Sequence, residues 1–389
     1  MPHVGGTYRQ LTIGGEIVRA FIPHSLSPRS PVLRIEGELA REEVAAKAAV
    51  DRLEVASAIV PSTAWFLYGF VRKEAVISSQ IEGIQATLPD VLRFEALQES
   101  DRIEDVEEVC NYVAALEYAR AELAAPRGLP LCSRLLCEVH RRLMQGTRGA
   151  DKLPGTVRTS QNWIGGTRPG NAIFVPPPPE EVPDALAALD RWIHEDRKFS
   201  PLVRAGLAHV QFETIHPFLD GNGRVGRMLI SLMIEQSGLL NAPILYLSLA
   251  FKRHREEYYR RLSSVRTDGD WEGWVGFFLT CVKEAADDGV AAAGQLFQRL
   301  NQDRQRLTNH SSATVTALRL FERLSEHPIV TQALVMTLLE TTKPTAHKTI
   351  NTLVELGILK ETTGKRRDRV YSYQGYLSLL SEDTELSLE

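Results

Sequence analysis

The stretch HPFLDGNGRVGR, residues 216–227, combines a histidine, an acid, two glycines around an asparagine, and two arginines three positions apart. Glycine adopts left-handed backbone angles readily, so the Gly-Asn-Gly at 221–223 predicts a turn whose N–H groups form a concave anion site. The next segment, VGRMLISLMIEQSGLL, has helical periodicity, and its N-terminus would point a positive dipole at the same place. Arg224 and Arg227 would share one helix face, and guanidinium groups bind phosphate in a bidentate manner. The stretch therefore predicts a polyphosphate-binding loop.

Two further side chains of this stretch predict chemistry beside the loop. Asp220 supplies a carboxylate, and Mg²⁺ is commonly bound by one or two carboxylates together with phosphate oxygens. His216 lies four residues earlier, and imidazole is suited to act as a general base near neutral pH. GNGRVG also matches the dinucleotide pattern G-x-G-x-x-G, but that pattern should follow a β-strand, and helical sequence precedes it here. A helix start with two surface arginines is the plain alternative, which the number of matching positions disfavours.

HPFLDGNGRVGR resembles the signature of the Fic family, His-Pro-Phe-x-Asp/Glu-Gly-Asn-Gly-Arg-x-x-Arg, at every fixed position. The usual reaction of that family transfers AMP from ATP to a Ser, Thr or Tyr hydroxyl of a protein and releases pyrophosphate. The resemblance implies that His216 is the catalytic base, that Asp220 binds Mg²⁺ and that Phe218 anchors the loop in the core. It implies phosphate contacts from Asn222, from the N–H groups of Gly221 and Gly223, and from Arg224 and Arg227. The full set of implied ATP-binding residues is Glu82, His216, Pro217, Phe218, Leu219, Asp220, Gly221, Asn222, Gly223, Arg224 and Arg227, with Arg253 and Tyr258 of RHREEYYRRL more loosely included.

A second motif, SSQIEG at 78–83, resembles the inhibitory motif of the family, Ser/Thr-x-x-x-Glu-Gly/Asn, with Ser78, Glu82 and Gly83 in place. Its position ahead of the loop implies the class with an N-terminal inhibitory helix. In that class Glu82 would pair with Arg227, so the arginine would not hold the γ-phosphate and the α-phosphate would lie out of line for attack. A role for Glu82 in positioning water for the reverse reaction, removal of AMP, stays open.

The sequence predicts a mainly α fold, with a Fic-type helical core, a β-hairpin flap and a C-terminal winged helix-turn-helix. GTVRTSQNWIGGTRPGNAIFVPPPP predicts a hairpin with strands near 157–164 and 172–175, and Fic proteins carry a hairpin flap that docks the target protein by strand addition. Residues 1 to about 35 are predicted to be irregular, and DRQRLTNHSS near 305 is predicted to be a linker. The expected divisions are an N-terminal helical region with the inhibitory helix at 1–100, a catalytic core at 101–304 and a winged-helix domain at 305–389.

The predicted winged helix has a mixed charge. Two helices, a third helix in KPTAHKTINTLVELGILKE and a basic turn in TTGKRRDRVYSY indicate this module. Residues 312–389 hold nine Lys and Arg against ten Asp and Glu, although Lys365, Arg366, Arg367 and Arg369 are clustered. Because DNA affinity depends mainly on phosphate neutralisation, this count favours a protein-contact or dimer role over DNA binding.

Composition and residue spacing disfavour several other classes of protein. The 389 residues carry a net charge of -4, so no basic excess indicates a nucleic-acid or membrane partner. No signal peptide is visible at the start, and the longest uncharged run, at 55–71, contains Pro61 and is short for a membrane span, so a cytoplasmic protein is expected. Cys132, Cys137 and His140 do not have zinc-site spacing and indicate a helix with buried thiols.

The leading hypothesis is therefore a protein adenylyltransferase that uses ATP and Mg²⁺, acts on protein hydroxyl groups and is inhibited by Glu82. One alternative is a winged-helix transcription regulator whose Fic domain senses nucleotide. Another keeps the fold but changes the chemistry, since some relatives transfer UMP, phosphate or phosphocholine. Some relatives also pair as homodimers, and some modify themselves.

Overall fold

The computed structural model describes residues 5–28, 32–59, 63–98, 100 and 102–386. It is mainly helical, as predicted. In chain order the elements are β1 Gly6–Ile13, β2 Glu16–Pro23, α1 Gly37–Ile59, α2 Thr63–Ile81, α3 Leu88–Leu97, α4 Ile103–Ala124, α5 Ser133–Leu143, α6 Val182–Glu195, α7 Pro201–Ile215, α8 Asn222–Gln236, α9 Leu247–Arg253, α10 Arg255–Thr267, α11 Trp271–Thr308, α12 Val315–Arg323, β3 Ile329–Thr331, α13 Gln332–Leu339, α14 Lys343–Glu355, β4 Lys360–Glu361, β5 Val370–Ser372 and α15 Gln374–Leu380.

The chain divides into two compact units. The first unit comprises residues 1–51 and 110–286, and the second comprises 52–109 and 287–389. The three boundaries between the units lie within helices α1, α4 and α11. These units differ from the expected boundaries at 100/101 and 304/305, because α2 and α3 group with the C-terminal elements. The three-part division of functions stays a prediction.

Helix α7 is the centre of the first unit. Ser200 accepts a hydrogen bond from the Val203 N–H and Pro201 occupies the first turn, which together begin the helix. Every residue from Leu202 to Ile215 except Arg204 is buried, including the polar side chains of His209, Gln211, Glu213 and Thr214. Helix α8 packs against it, so the loop that joins the two helices is held at both ends by core elements.

The N-terminal segment is a β-hairpin, so the prediction of an irregular region was wrong. Strands β1 and β2 pair antiparallel from Gly6 opposite Pro23 to Ile13 opposite Glu16. Gly14 and Gly15 form the two-residue turn, with φ of +57° and +84°. Two adjacent residues with positive φ suit the right-handed twist of a hairpin, and glycine adopts them without a steric penalty. The signal was present in the sequence as TIGGEI between alternating residues.

The predicted flap between 157 and 175 has much less strand than expected. It has one isolated antiparallel bridge, Ile164 opposite Phe174, and a short 3-10 turn at Pro169–Asn171. The N-terminal hairpin supports this segment instead. The Phe21 N–H donates to the Val175 carbonyl at 2.9 Å, and the Glu16 carboxylate accepts from Arg168 at 2.8 Å. The prolines from Pro176 onward remove N–H donors, which limits strand pairing to these few residues.

The second unit contains α2, α3 and the elements that follow α11. The predicted linker near 305 is largely helical, because α11 continues to Thr308. After it, α12, β3, α13 and α14 lead into the hairpin β4–β5, and the three strands form an antiparallel sheet in the order β3-β5-β4. This is the element order expected of a winged helix-turn-helix, and we call residues 315–372 the C-terminal module. Among the helices described, none has the length and apolar character needed to cross a membrane.

Candidate active site

The site is built on the loop between α7 and α8, at residues 216–221. His216 ends α7 in the left-handed conformation, with φ 48° and ψ 65°, and its N–H donates to the Phe212 carbonyl at 2.9 Å. A non-glycine residue in this region is uncommon and is maintained only where surrounding contacts fix it. The left-handed cap turns the chain sharply, so the imidazole is placed at the start of the loop.

Arg158 supplies the contacts that fix this cap. Its side chain is 1% exposed, and its guanidinium donates to the carbonyl oxygens of His216 at 2.9 Å and Pro177 at 2.6 Å. Its backbone N–H donates to the Pro217 carbonyl at 2.9 Å. Burial lowers the pKa of Arg158 to about 10, so the group stays charged at neutral pH. The sequence analysis did not identify Arg158, which lies in GTVRTSQNW, far from the motif.

Phe218 anchors the loop in the core, as the resemblance implied. Its side chain is 1% exposed and stacks on His140 with ring centroids 3.9 Å apart. The Asn222 side chain closes the loop, because its amide donates to the Phe218 carbonyl and accepts from the Phe218 N–H, both at 2.9 Å. Asn222 therefore shapes the loop through its side chain in this structure, whereas the resemblance implied a phosphate contact.

His140 was considered in the sequence only as a metal ligand. Its Nδ1 accepts from the Gly155 N–H at 2.8 Å, so the proton is assigned to Nε2, which donates to the Asp220 carbonyl at 3.0 Å. Burial lowers the pKa of His140 to about 4, which keeps the ring neutral. Both ring nitrogens are thus used to hold the loop in place.

The turn before α8 contains one left-handed residue, Gly221, with φ +73°. The predicted turn at 221–223 is shorter than expected, since Asn222 and Gly223 already belong to α8. The Gly221 N–H donates to Asp220 Oδ1 at 2.6 Å, and a Cβ at this position would lie 2.9 Å from the Met144 sulfur. The close approach and the positive φ both require glycine here.

Arg224 and Arg227 lie in the first two turns of α8, and each side chain is 3% exposed. Arg224 donates to the Met144 sulfur at 3.6 Å. The positive charge of Arg227 contributes to lowering the pKa of the buried His209. Two guanidinium groups inside the first unit, close to the N-terminus of a 15-residue helix, create a positive site suited to an anion.

The His216 imidazole is held in its neutral form. Its side chain is 16% exposed, and Nδ1 lies 4.0 Å from Glu213 Oε2. No described residue forms a hydrogen bond with Nδ1. Burial, and then the charges of Arg266 and Arg158, lower the pKa of His216 to about 3. The ring is therefore neutral at pH 7 and has a nitrogen that can accept a proton, but a pKa this low makes it a weak base in the absence of substrate.

Tyr258 and Arg253, which the resemblance associated with the nucleotide, have other contacts here. Tyr258 is 1% exposed, stacks on Phe251 and bonds through its hydroxyl to His209 Nε2 at 2.8 Å. His209 Nδ1 is 2.9 Å from the Gly226 carbonyl, so this pair links α10 to α8. Arg253 forms an ion pair with Glu284 at 2.9 Å. Their contribution to nucleotide binding stays a prediction.

The SSQIEG segment, for which an inhibitory role is a prediction, lies in the second unit, at the end of α2. Ser78 is fully buried in the helix, while Glu82 and Gly83 are exposed just beyond it. The Glu82 N–H donates to the Ser79 carbonyl at 3.0 Å, and Gly83 has φ +91°. The segment is therefore a helix end followed by a sharp turn.

Comparison with known proteins identifies relatives. Residues 130–234 match the Fic/DOC family, and residues 40–121 match the Fic/DOC family N-terminal region. A protein adenylyltransferase Fic from Culex quinquefasciatus is 28% identical over 234 residues, which is 58% of this chain and 43% of that protein. One from Aedes aegypti is 29% identical over 196 residues, which is 50% of this chain and 36% of that protein. The chain thus spans about two fifths of the length of these curated relatives.

Solved structures give the same fold. A Fic family protein from Desulfovibrio desulfuricans superimposes with a TM-score of 0.58 at 21% identity, over 88% of this chain and 97% of that one. A Fic domain containing signaling protein from Bacteroides thetaiotaomicron gives 0.53 at 19% identity, over 64% of this chain and 97% of that one. At these identities the similarity establishes the helical architecture in which the loop at 216–227 lies.

Proposed function

The chain belongs to the Fic/DOC family, and on that premise we propose that it transfers AMP from ATP to a Ser, Thr or Tyr hydroxyl of a protein. The observation that carries the proposal is the neutral imidazole of His216, which is fixed in a left-handed cap at the start of the loop. The loop leads into α8, whose first two turns contain two buried arginines. The curated relatives named as adenylyltransferases support it.

In the proposed reaction the hydroxyl oxygen of the target attacks the α-phosphorus of ATP. The bond from that phosphorus to the bridging oxygen breaks, and pyrophosphate leaves with the electron pair. His216 accepts the proton of the hydroxyl as the new bond forms. Arg224 and Arg227 stabilise the phosphates, because transfer at phosphorus depends mainly on positioning and on compensation of charge.

The loop also suits Mg²⁺. Asp220 is exposed, and its Oδ1 accepts from the Gly221 N–H, which leaves Oδ2 for a cation. One carboxylate fits an ion that is held mainly by substrate phosphates and water, and the described residues contain no cluster of three or more ligating side chains. When bound, the ion would neutralise charge on the phosphates. Asp220 would hold it, and the Gly221 N–H orients Asp220 for that purpose.

We further propose that Glu82 inhibits transfer by pairing with Arg227. The motif of Ser78, Glu82 and Gly83 supports this, and so does its placement at a helix end. Helix α2 is also tied to the end of the chain, because the Gln80 side-chain amide donates to the Thr384 carbonyl at 2.9 Å. The position of the inhibitory segment thus depends on contacts with residues after α15. Positioning of water by Glu82 for AMP removal is the alternative role.

The test is incubation of the full chain with Mg²⁺ and ATP labelled on the α-phosphate, followed by a denaturing gel. We expect weak labelling of the wild type, labelling at least about tenfold stronger for Glu82→Gly, and none for the pair Glu82→Gly/His216→Ala. Gln85→Gly, an exposed change in the same segment, is the control and should match the wild type. Calorimetric binding of ATP to Glu82→Gly without any label on protein would instead identify a nucleotide-sensing domain.

A further inference from the structure

The C-terminal module has a groove between its second and third helices and the turn of its hairpin. The groove has a volume of about 760 Å³ and is open to solvent. Its lining includes Lys343 and His347 from α14. Arg366, Arg367, Asp368 and Arg369 line it from the β4–β5 turn. Four of the lining side chains are positively charged lysine or arginine, and one, Asp368, is a carboxylate.

Apart from Asp368, the acidic residues of the module do not line this groove, and residues 315–372 hold nine Lys and Arg against six Asp and Glu. Glu322 pairs with Arg304 at 3.1 Å, and Glu326 pairs with Arg323 at 3.6 Å. The Glu361 carboxylate accepts hydrogen bonds from the Thr363 and Gly364 N–H groups, so it stabilises the base of the turn. The near-neutral count over residues 312–389 therefore includes acidic residues that do not line the groove.

Helix α14 presents an exposed polar face at its N-terminal end. Lys343, Thr345, His347 and Lys348 are exposed there, while Ala346 and Ile350 are buried against the module. The preceding helix, α13, ends at a left-handed residue, Glu340, and a three-residue turn joins the two. In helix-turn-helix proteins the second helix enters the major groove with its N-terminal residues toward the bases. A 13-residue helix with such a face has the size and polarity for that role.

We propose that this groove binds duplex DNA, with α14 in the major groove and Arg366, Arg367 and Arg369 on the phosphate backbone. Phosphate contacts supply most of the affinity of such complexes, and arginine is well suited to them. The sequence count favoured a protein contact instead, because it averaged this face with the acidic residues outside it. The proposal is independent of the adenylyl transfer proposed above, since it rests on a different surface.

The test is fluorescence anisotropy of a labelled duplex of mixed sequence, titrated with the full chain over a series of salt concentrations. Three phosphate contacts predict a slope of about −2.7 in log K against log salt, so binding weakens about 40-fold between roughly 50 and 200 mM. The double variant R366E/R367E removes two contacts. It should bind at least about tenfold more weakly at low salt, and its slope should fall in magnitude to about −0.9.

The control is R319E, which makes the same charge change at an exposed position of α12 outside the groove lining. It should bind as the wild type does. No binding to any duplex at low salt would overturn the proposal, and so would equal binding by the double variant. Polyglutamate that competes as well as DNA at equal charge would also overturn it, because the groove would then be a site for acidic proteins.

Discussion

The contact between Arg158 and the cap at His216 yields the sharpest prediction about the active site. Replacing Arg158 with methionine removes two short charged hydrogen bonds to carbonyl oxygens, at 2.9 and 2.6 Å, and two longer ones, both at 3.4 Å. Each such bond contributes about 1.5–3 kcal/mol, and removal of a buried charge without a carboxylate partner offsets part of the loss, so we expect about 2–4 kcal/mol of destabilisation. The larger effect falls on catalysis, because displacement of a catalytic group by about 1 Å costs roughly 100-fold in rate.

The assay follows label transfer from ATP in the Glu82→Gly background, with and without Arg158→Met. We expect kcat to fall about 100-fold while circular dichroism shows a folded protein. The pKa of His216 should also rise, since the Arg158 charge is one of the causes that lower it. This shift is measured by NMR titration of labelled histidine and separates positioning of the base from a general loss of stability.

The matched control is Arg204→Met. Arg204 is a half-buried arginine of α7 that donates to the Ile193 carbonyl and has no contact with the loop among those described. It should lower stability while leaving kcat within about threefold of the parent. A folded Arg158→Met protein that transfers label within threefold of its parent, with an unshifted His216, would refute the reasoning.

Three further predictions follow from the same contacts. His140, His209 and His216 have lowered pKa values, so they are neutral in the folded protein but protonate near the ordinary pKa of histidine in the unfolded chain. The free energy of unfolding should therefore fall below pH 6.5, by about 2 kcal/mol for each histidine at pH 5. Urea unfolding at pH 7 and pH 5 measures this fall, and equal stability at the two pH values would contradict it. Gly221→Ala places a Cβ 2.9 Å from the Met144 sulfur at a positive φ, so ATP binding by calorimetry should weaken at least about tenfold, whereas Gly238→Ala, at an open positive φ, should not change it. Gln80→Ala removes the tie to Thr384 and should raise label transfer in the wild type but not in the Glu82→Gly background; a rise in both would exclude an effect through the inhibitory segment.

The loop at 216–227 could be proposed from the sequence because the features that suggest it are local. A histidine, a glycine turn and a helix start lie within a few residues, and each has a backbone preference that needs no distant partner. The anchoring role of Phe218 was likewise predictable, and the structure buries it. The turn at Gly14 and Gly15 is equally local, although the prolines that follow it favoured the prediction of an irregular region.

Other parts of the site depend on residues far apart in the chain. Arg158 and His140 hold the loop from 58 and 80 residues away, through backbone carbonyls that no sequence pattern specifies. The predicted flap strands were shortened because the N-terminal hairpin, rather than a second flap strand, bonds to Val175. Long-range contacts of this kind depend on packing, which a local pattern does not encode.

The amino-acid order by itself determined the helical class, the loop that begins α8 and the residue types available for chemistry there, because these follow from backbone preference and side-chain chemistry over short spans. Only the tertiary structure decided how His216 is kept neutral and where the charges of the C-terminal module lie. Both depend on which groups folding removes from water and on which cations it brings close together, and electrostatic interactions act through space rather than along the chain.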